Sequence, residues 1–196
     1  MEWLEGKEAR WQYHARSWRR NSPPSGAESR VVNDRSNEGG KQEKTGRAEA
    51  MSAQENKERA RRLLEEAFGG GNTSVIDEVF RSDFVCYDPN SEAGEVRGAQ
   101  TMKGEIEYFR QAVPDLTYTV EDQLAEGDKV VTRWKASGTH QGEFFGVPGS
   151  GKRIEMSGIQ IDRFDEESGK IVEEWPEYDL LGAMRQMGAI PEPKQQ

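Results

Sequence analysis

The sequence predicts an α+β fold, a curved antiparallel sheet whose concave face is covered by helices. Three observations lead there. Apolar residues recur at helical spacing up to Val113, they alternate as in strands after Leu116, and the breaks fall on Gly and Pro clusters.

The first helix is expected over 53–68, where Ala60, Leu63, Leu64, Ala67 and Phe68 form one apolar stripe. Gly69-Gly-Gly71 stops it, because three flexible residues do not extend a helix. Thr73 or Ser74 is placed to cap a short helix that turns Val75, Ile76, Val79 and Phe80 inward. Phe84–Tyr87 reads as a short strand ended by Asp88-Pro89-Asn90. Gly98–Val113 reads as a helix presenting Met102, Ile106, Phe109 and Val113, broken by Pro114-Asp115.

Strands follow. Leu116–Val120 alternates, Glu126-Gly-Asp128 is a turn, and Lys129–His140 carries Val131, Thr132, Trp134 and Thr139. Ile154–Phe164 and Ile171–Tyr178 are separated by a turn around Ser168-Gly169, and Asp179–Gly188 is a closing amphipathic helix. Along Ile154–Phe164 one face holds Ile154, Met156, Gly158, Gln160, Asp162 and Phe164. In the last strand Val172, Glu174 and Pro176 share a side. Neither face is cleanly polar, so the convex side is expected to pack on a second copy as a homodimer. Curvature leaves a blind pocket between sheet and helices, a usual place for a small ligand.

Composition narrows the function. The chain has 196 residues and a formal net charge of −9. Residues 1–50 hold 10 Lys/Arg and 8 Asp/Glu, which leaves 17 and 28 for residues 51–196, a net of −11. So acidic a domain repels phosphates, and no nucleic-acid partner is expected. One cysteine, Cys86, excludes an intrachain disulfide and is expected to be a small packing residue. No 18-residue apolar run occurs, so no membrane partner is expected, and a cytoplasmic location is the default. Residues 1–50 lack apolar periodicity and read as a disordered or upstream extension, with the domain over 51–190 and a tail over 191–196. Trp3, Trp11 and Trp18 among Arg10, Arg16, Arg19 and Arg20 could alternatively be an aromatic–basic arm.

Glu174 draws most attention, because a carboxylate inside the apolar strand Ile171–Tyr178 is costly and catalysis is one reason to keep it. Gln160 can orient it or hold a carbonyl, and Asp162 on the same face is the next candidate acid/base. His140 is the domain's single histidine, at a strand end where a structural or rim role is expected. With one histidine and one cysteine in the domain, no metal site is expected. Phe68, Trp134, Phe144 and Met156 are expected as apolar wall, with Trp175 and Tyr178 beside Glu174. Gly149-Ser-Gly-Lys-Arg153 joins two strands and reads as a hairpin turn, not a phosphate loop.

Together, Gly138-Thr-His-Gln-Gly, Phe145-Gly-Val-Pro, Gly151-Lys-Arg, Gly169-Lys-Ile-Val-Glu-Glu-Trp-Pro and Gly182-Ala-Met-Arg-Gln-Met-Gly resemble the SnoaL-like polyketide cyclases. These belong to the nuclear-transport-factor-2-like superfamily, and the resemblance runs from about Asn56 to Gly188. It implies a cone-shaped α+β barrel, a site without cofactor or metal, and closure of a polyketide ester ring by intramolecular aldol condensation. The family's general acid/base is an aspartate immediately before Trp-Pro, which here is Glu174. A family histidine on the neighbouring strand is replaced by Gln160, and Phe68 falls where the family has an aromatic pocket residue. The expected activity is a cofactor-independent cyclase or isomerase acting on a hydrophobic carbonyl compound. The alternatives are a binding module without turnover, or an epoxide hydrolase using an Asp–Arg–Asp set to which Arg133 and Asp162 would contribute.

Overall fold

The computed structural model describes residues 53–91 and 93–191; the expectations for 1–50 lie outside the described residues. Helix α1 covers 53–62 and continues without a break as the π-helical stretch Leu63–Gly69. Ion pairs at i,i+4 spacing, Arg61–Glu65 and Arg62–Glu66, line its outer side, while Leu63, Leu64 and Ala67 are buried. The helical stripe is as expected, but its last turns widen to π geometry, which apolar periodicity does not encode. Helix α2 is Ser74–Val79. Neither Thr73 nor Ser74 caps it; Asn72 Oδ1 instead accepts from the backbone N–H and the hydroxyl of Ser74.

Strand β1, Phe80–Cys86, is longer than expected, and a two-residue strand β2, Val96–Arg97, pairs antiparallel with it. Helix α3 is Ala99–Ala112. Then come β3 (Thr117–Glu126), β4 (Lys129–Thr139), β5 (Arg153–Phe164), β6 (Ile171–Tyr178) and helix α4 (Leu180–Met187). Asp179 caps α4 by accepting from Gly182 N–H at 2.8 Å, and Gly188 closes it at φ 92°.

The strands form one sheet in the order β2-β1-β6-β5-β4-β3. It is open, with β2 and β3 at its edges, rather than a closed barrel. All neighbours are antiparallel except β1 and β6, which run parallel. Register shifts in β1 between Phe80 and Val85, and in β3 between Val120 and Asp122, bend the sheet.

The alternation of β5 is as read from sequence: Ile154, Met156, Gln160, Asp162 and Phe164 are buried. Register converts that phase into rows across the inner face. Glu174, Asp162 and Val130 make one row, Pro176, Gln160 and Thr132 the next, and Tyr178, Gly158 and Trp134 the one after. Gly158 is required in that last row. A Cβ there would lie 2.5 Å from Trp134 Cζ2 and 2.7 Å from the Glu177 carbonyl oxygen. Helices α1 and α3 close over these rows through Leu63, Ala67, Met102 and Ile106, all within one apolar core. Burying Leu63, Met102 or Ile106 contributes roughly 1.5–3 kcal/mol each.

On the outer face, register aligns Leu124, Val131, Ile161 and Trp175 in a single apolar row, and Tyr87 stacks on Trp175 at 5.7 Å. Among the described residues no helix is long and apolar enough to cross a membrane.

Candidate active site

A pocket opens between the inner rows and helices α1 and α3, with Phe68, Trp134, Met156, Gln160, Glu174 and Tyr178 in its wall. About 50 Å³ of it is open to the centre of a water molecule, room for several waters. Six residues expected at the site therefore meet in one cavity. The wall is aromatic where α1, α3 and β3 converge: Phe68 packs on Phe109 at 6.0 Å and on Tyr118 at 5.7 Å, and Tyr118 packs on Trp134 at 5.1 Å.

Glu174 is 4 % exposed. Its Oε1 accepts from the Cys86 thiol at 3.6 Å, while its Oε2 is buried without a hydrogen-bond partner. The parallel pairing of β1 with β6 creates this contact: Cys86 and Glu174 are register partners, and the Tyr87 N–H donates to the Glu174 carbonyl at 2.8 Å. Neighbouring Glu173, on the outer face, shows the ordinary alternative, an ion pair with Arg163 at 2.8 Å. Glu174 has no such partner. Burial, then repulsion from Asp162, pushes its pKa well above the usual carboxylate range.

Asp162 sits directly across from Glu174 on β5 and is fully buried. Both its oxygens accept from Gln160 Nε2, each at 3.1 Å. Burial raises its pKa too, opposed by the Gln160 bond. Asp162 is not in the pocket wall; it is the cross-strand neighbour of Glu174. Gln160 is in the wall and turns its NH₂ toward Asp162, which leaves its carbonyl oxygen as an acceptor on the other side.

Three expected pocket residues lie elsewhere. Trp175 projects from the outer face, because it alternates with Glu174 and Pro176 along β6, and it stacks on Tyr87. His140 is fully buried past the end of β4, where its Nδ1 is 3.0 Å from Ser150 Oγ and accepts from the Ser150 N–H. That contact braces the hairpin turn before β5, in keeping with the structural role. Phe144 belongs to an aromatic cluster with Tyr108, Phe109 and Phe145 and lines a second, smaller cavity. This cavity shares Phe109, Tyr118 and Met156 with the first. The epoxide-hydrolase set is not assembled: Arg133 is exposed on the outer face and ion-paired with Glu121.

Four polar wall residues were not picked out from sequence: Cys86, Asp88, Glu105 and Tyr118. Asp88 is a strand terminator in sequence, yet its Oδ2 accepts from the Tyr178 hydroxyl at 3.1 Å and its Oδ1 from the Asn90 N–H at 2.8 Å. Burial raises its pKa, partly offset by these donors. Burial and the nearby Asp88 raise Glu105. Trp134 Nε1 is a second buried polar atom in the wall without a partner. The pocket can thus hold a neutral apolar body against aromatic walls and present it with a buried carboxyl and with N–H and C=O groups. Among the described residues, no group of three or more His, Cys, Asp or Glu is arranged to hold a metal ion.

Comparison with known proteins agrees with this architecture. The model of the family described as SnoaL-like polyketide cyclase matches residues 58–187. The aklanonic acid methyl ester cyclase DnrD of Streptomyces peucetius is 28% identical over 130 residues, covering 65% of this chain and 87% of the relative. TsrD from Streptomyces laurentii superposes with a TM-score of 0.61 at 31% identity, covering 71% of this chain and 97% of that one. IdmH from Streptomyces antibioticus gives 0.58 at 31% identity, covering 68% and 98%.

Proposed function

The chain belongs to the SnoaL-like polyketide cyclase family, and we propose that its pocket closes a ring in a hydrophobic polyketide-ester-like carbonyl compound by carboxylate acid/base catalysis. The reaction is an intramolecular aldol addition. An α C–H bond breaks, the resulting enolate carbon bonds to a second carbonyl carbon, and the alkoxide formed there takes up a proton.

The observation that carries this reading is the free Oε2 of Glu174, a buried carboxyl oxygen without a partner in the wall of an apolar pocket. Leaving such an atom unsatisfied costs on the order of 1–3 kcal/mol, a cost that function explains and packing does not. Burial and the neighbouring Asp162 raise the Glu174 pKa and so favour the protonated form, which can donate to a developing alkoxide. The Trp134 N–H stands ready for a carbonyl oxygen, and burial keeps the Tyr118 hydroxyl protonated as a further donor. The outer apolar row from Leu124 to Trp175 supports pairing with a second copy of the chain.

The test uses the substrate named for the relatives, aklanonic acid methyl ester, together with simpler poly-β-keto methyl esters. Ring closure appears as a product of unchanged mass and altered chromatographic retention. The wild type is expected to produce it and Glu174→Gln to lose it by at least ~100-fold. Tight binding without conversion would establish the binding-module reading instead.

A further inference from the structure

Aldol closure needs a proton acceptor as well as a donor, and Glu174, buried directly across from Asp162 with its protonated form favoured, suits the donor's part. The pocket holds two other carboxyls, Asp88 and Glu105. Resting on the cyclase reading, we propose that Asp88 is a second catalytic residue, the base that removes the substrate α-proton, with Tyr178 as the residue that positions it.

The geometry distinguishes Asp88 from every other carboxyl nearby. It lies two residues beyond Cys86, the register partner of Glu174, so β1 delivers it to the pocket beside the general acid. The chain leaves the sheet at this point, which makes Asp88 half-buried and wetter than Glu174. Two donors, the Tyr178 hydroxyl and the Asn90 N–H, address one oxygen each and favour the ionised form. No described side chain donates to Glu105, and Glu174 receives a single weak thiol bond. The titratable groups facing Asp88 are Tyr178 and Glu174 on β6, Cys86 on β1, Tyr118 on β3 and Glu105 on α3; none is a cation. Glu174, with a partnerless oxygen in the apolar wall, and Asp88, with a donor on each oxygen, are suited as acid and base in one cavity.

The step balances. The α C–H pair becomes the enolate, its proton passes to an Asp88 oxygen, and the enolate carbon bonds to the carbonyl carbon. The carbonyl π pair becomes an alkoxide that takes the Glu174 proton. Asp88 then holds a proton that Glu174 lacks, and water at the half-buried Asp88 side restores the starting state.

The experiment is solvent exchange in D₂O. Full-length wild type, Asp88→Asn and Glu174→Gln are each incubated with the methyl ester, and deuterium uptake at the α-carbon is read separately from ring closure. Glu174→Gln is expected to retain α-exchange above the uncatalysed rate while losing closure. Asp88→Asn is expected to lose both by at least ~100-fold with its melting temperature near wild type. Tyr178→Phe, which keeps Asp88 and removes one donor, is expected to shift the acid limb of kcat/KM to higher pH. Wild-type α-exchange in Asp88→Asn, or an unmoved acid limb in Tyr178→Phe, overturns the assignment. Failure of the wild type itself to close any ester is a different result and overturns the cyclase reading.

Discussion

Asp162 and Glu174 face each other directly across β5 and β6, both buried, and no cation among the described residues accompanies them. Ionising both would place two like charges in an apolar interior, at a cost of several kcal/mol per ion. The pair therefore retains a proton in the folded state that the unfolded chain gives up at ordinary carboxylate pH.

Stability follows from that linkage. The Glu174 pKa is raised in the folded state, so its contribution to stability is full below the ordinary value of 4.5 and is lost as pH rises through the raised value. Glu174→Gln is expected to melt at or above wild type, by about 1–3 kcal/mol near neutral pH, with the gain vanishing below pH 4.5. Calorimetry across pH measures it. A large drop in melting temperature at neutral pH would mean that Glu174 is held structurally.

Removing the charge behind Glu174 has a separate signature. Asp162→Asn relieves the repulsion, so the Glu174 pKa falls and the alkaline limb of kcat/KM moves to lower pH. The limb marks loss of the donated proton, so activity above it declines earlier than in wild type. A pH–rate profile of the purified variant decides this, and an unmoved limb would contradict it.

Gly158 is the contact on which the indole rests. Gly158→Ala places a Cβ 2.5 Å from Trp134 Cζ2 and 2.7 Å from a rigid backbone oxygen. Overpacking of this kind costs about 1–3 kcal/mol and should lower both the melting temperature and the turnover of the ester, because Trp134 is pushed into the cavity.

Met156 stands in the wall common to both cavities. Met156→Ala is expected to destabilise the domain by about 2–5 kcal/mol and to merge the two spaces. Titration with methyl esters of increasing length reads the consequence: the variant's affinity optimum should move to longer ligands, whereas a fixed optimum would show that the cavities stay separate.

The outer row predicts the assembly. The chain is expected to elute from gel filtration as a dimer, and Leu124→Asp, at a row position 67% exposed, as a monomer. Monomeric elution of the wild type would dispose of the dimer.

Alternation made the inner face of β5 legible in advance, and with it Met156, Gln160 and Asp162. The same rule places Trp175 outward, opposite Glu174; the expectation that it lined the pocket ignored it. Asp88 and Cys86 were missed for a different reason. Their approach to Glu174 depends on the parallel pairing of β1 with β6, a contact 88 residues apart in sequence that no local pattern reports. The π-helical turn of α1 and the two-residue strand β2 were likewise set by tertiary packing rather than by propensity.

That pairing also governs how the molecule comes into being. Strand β1 joins the rest of the sheet only through β6, the last strand to leave the ribosome. Until Ile171–Tyr178 emerges, the nascent chain carries β1 with an open edge and lacks Glu174. Parallel pairing at such separation forms slowly, so this interval is when the chain is most exposed to aggregation and most dependent on chaperones. A chain ending before Ile171 would carry three helices and five strands, with nothing to join β1 and β2 to β3, β4 and β5.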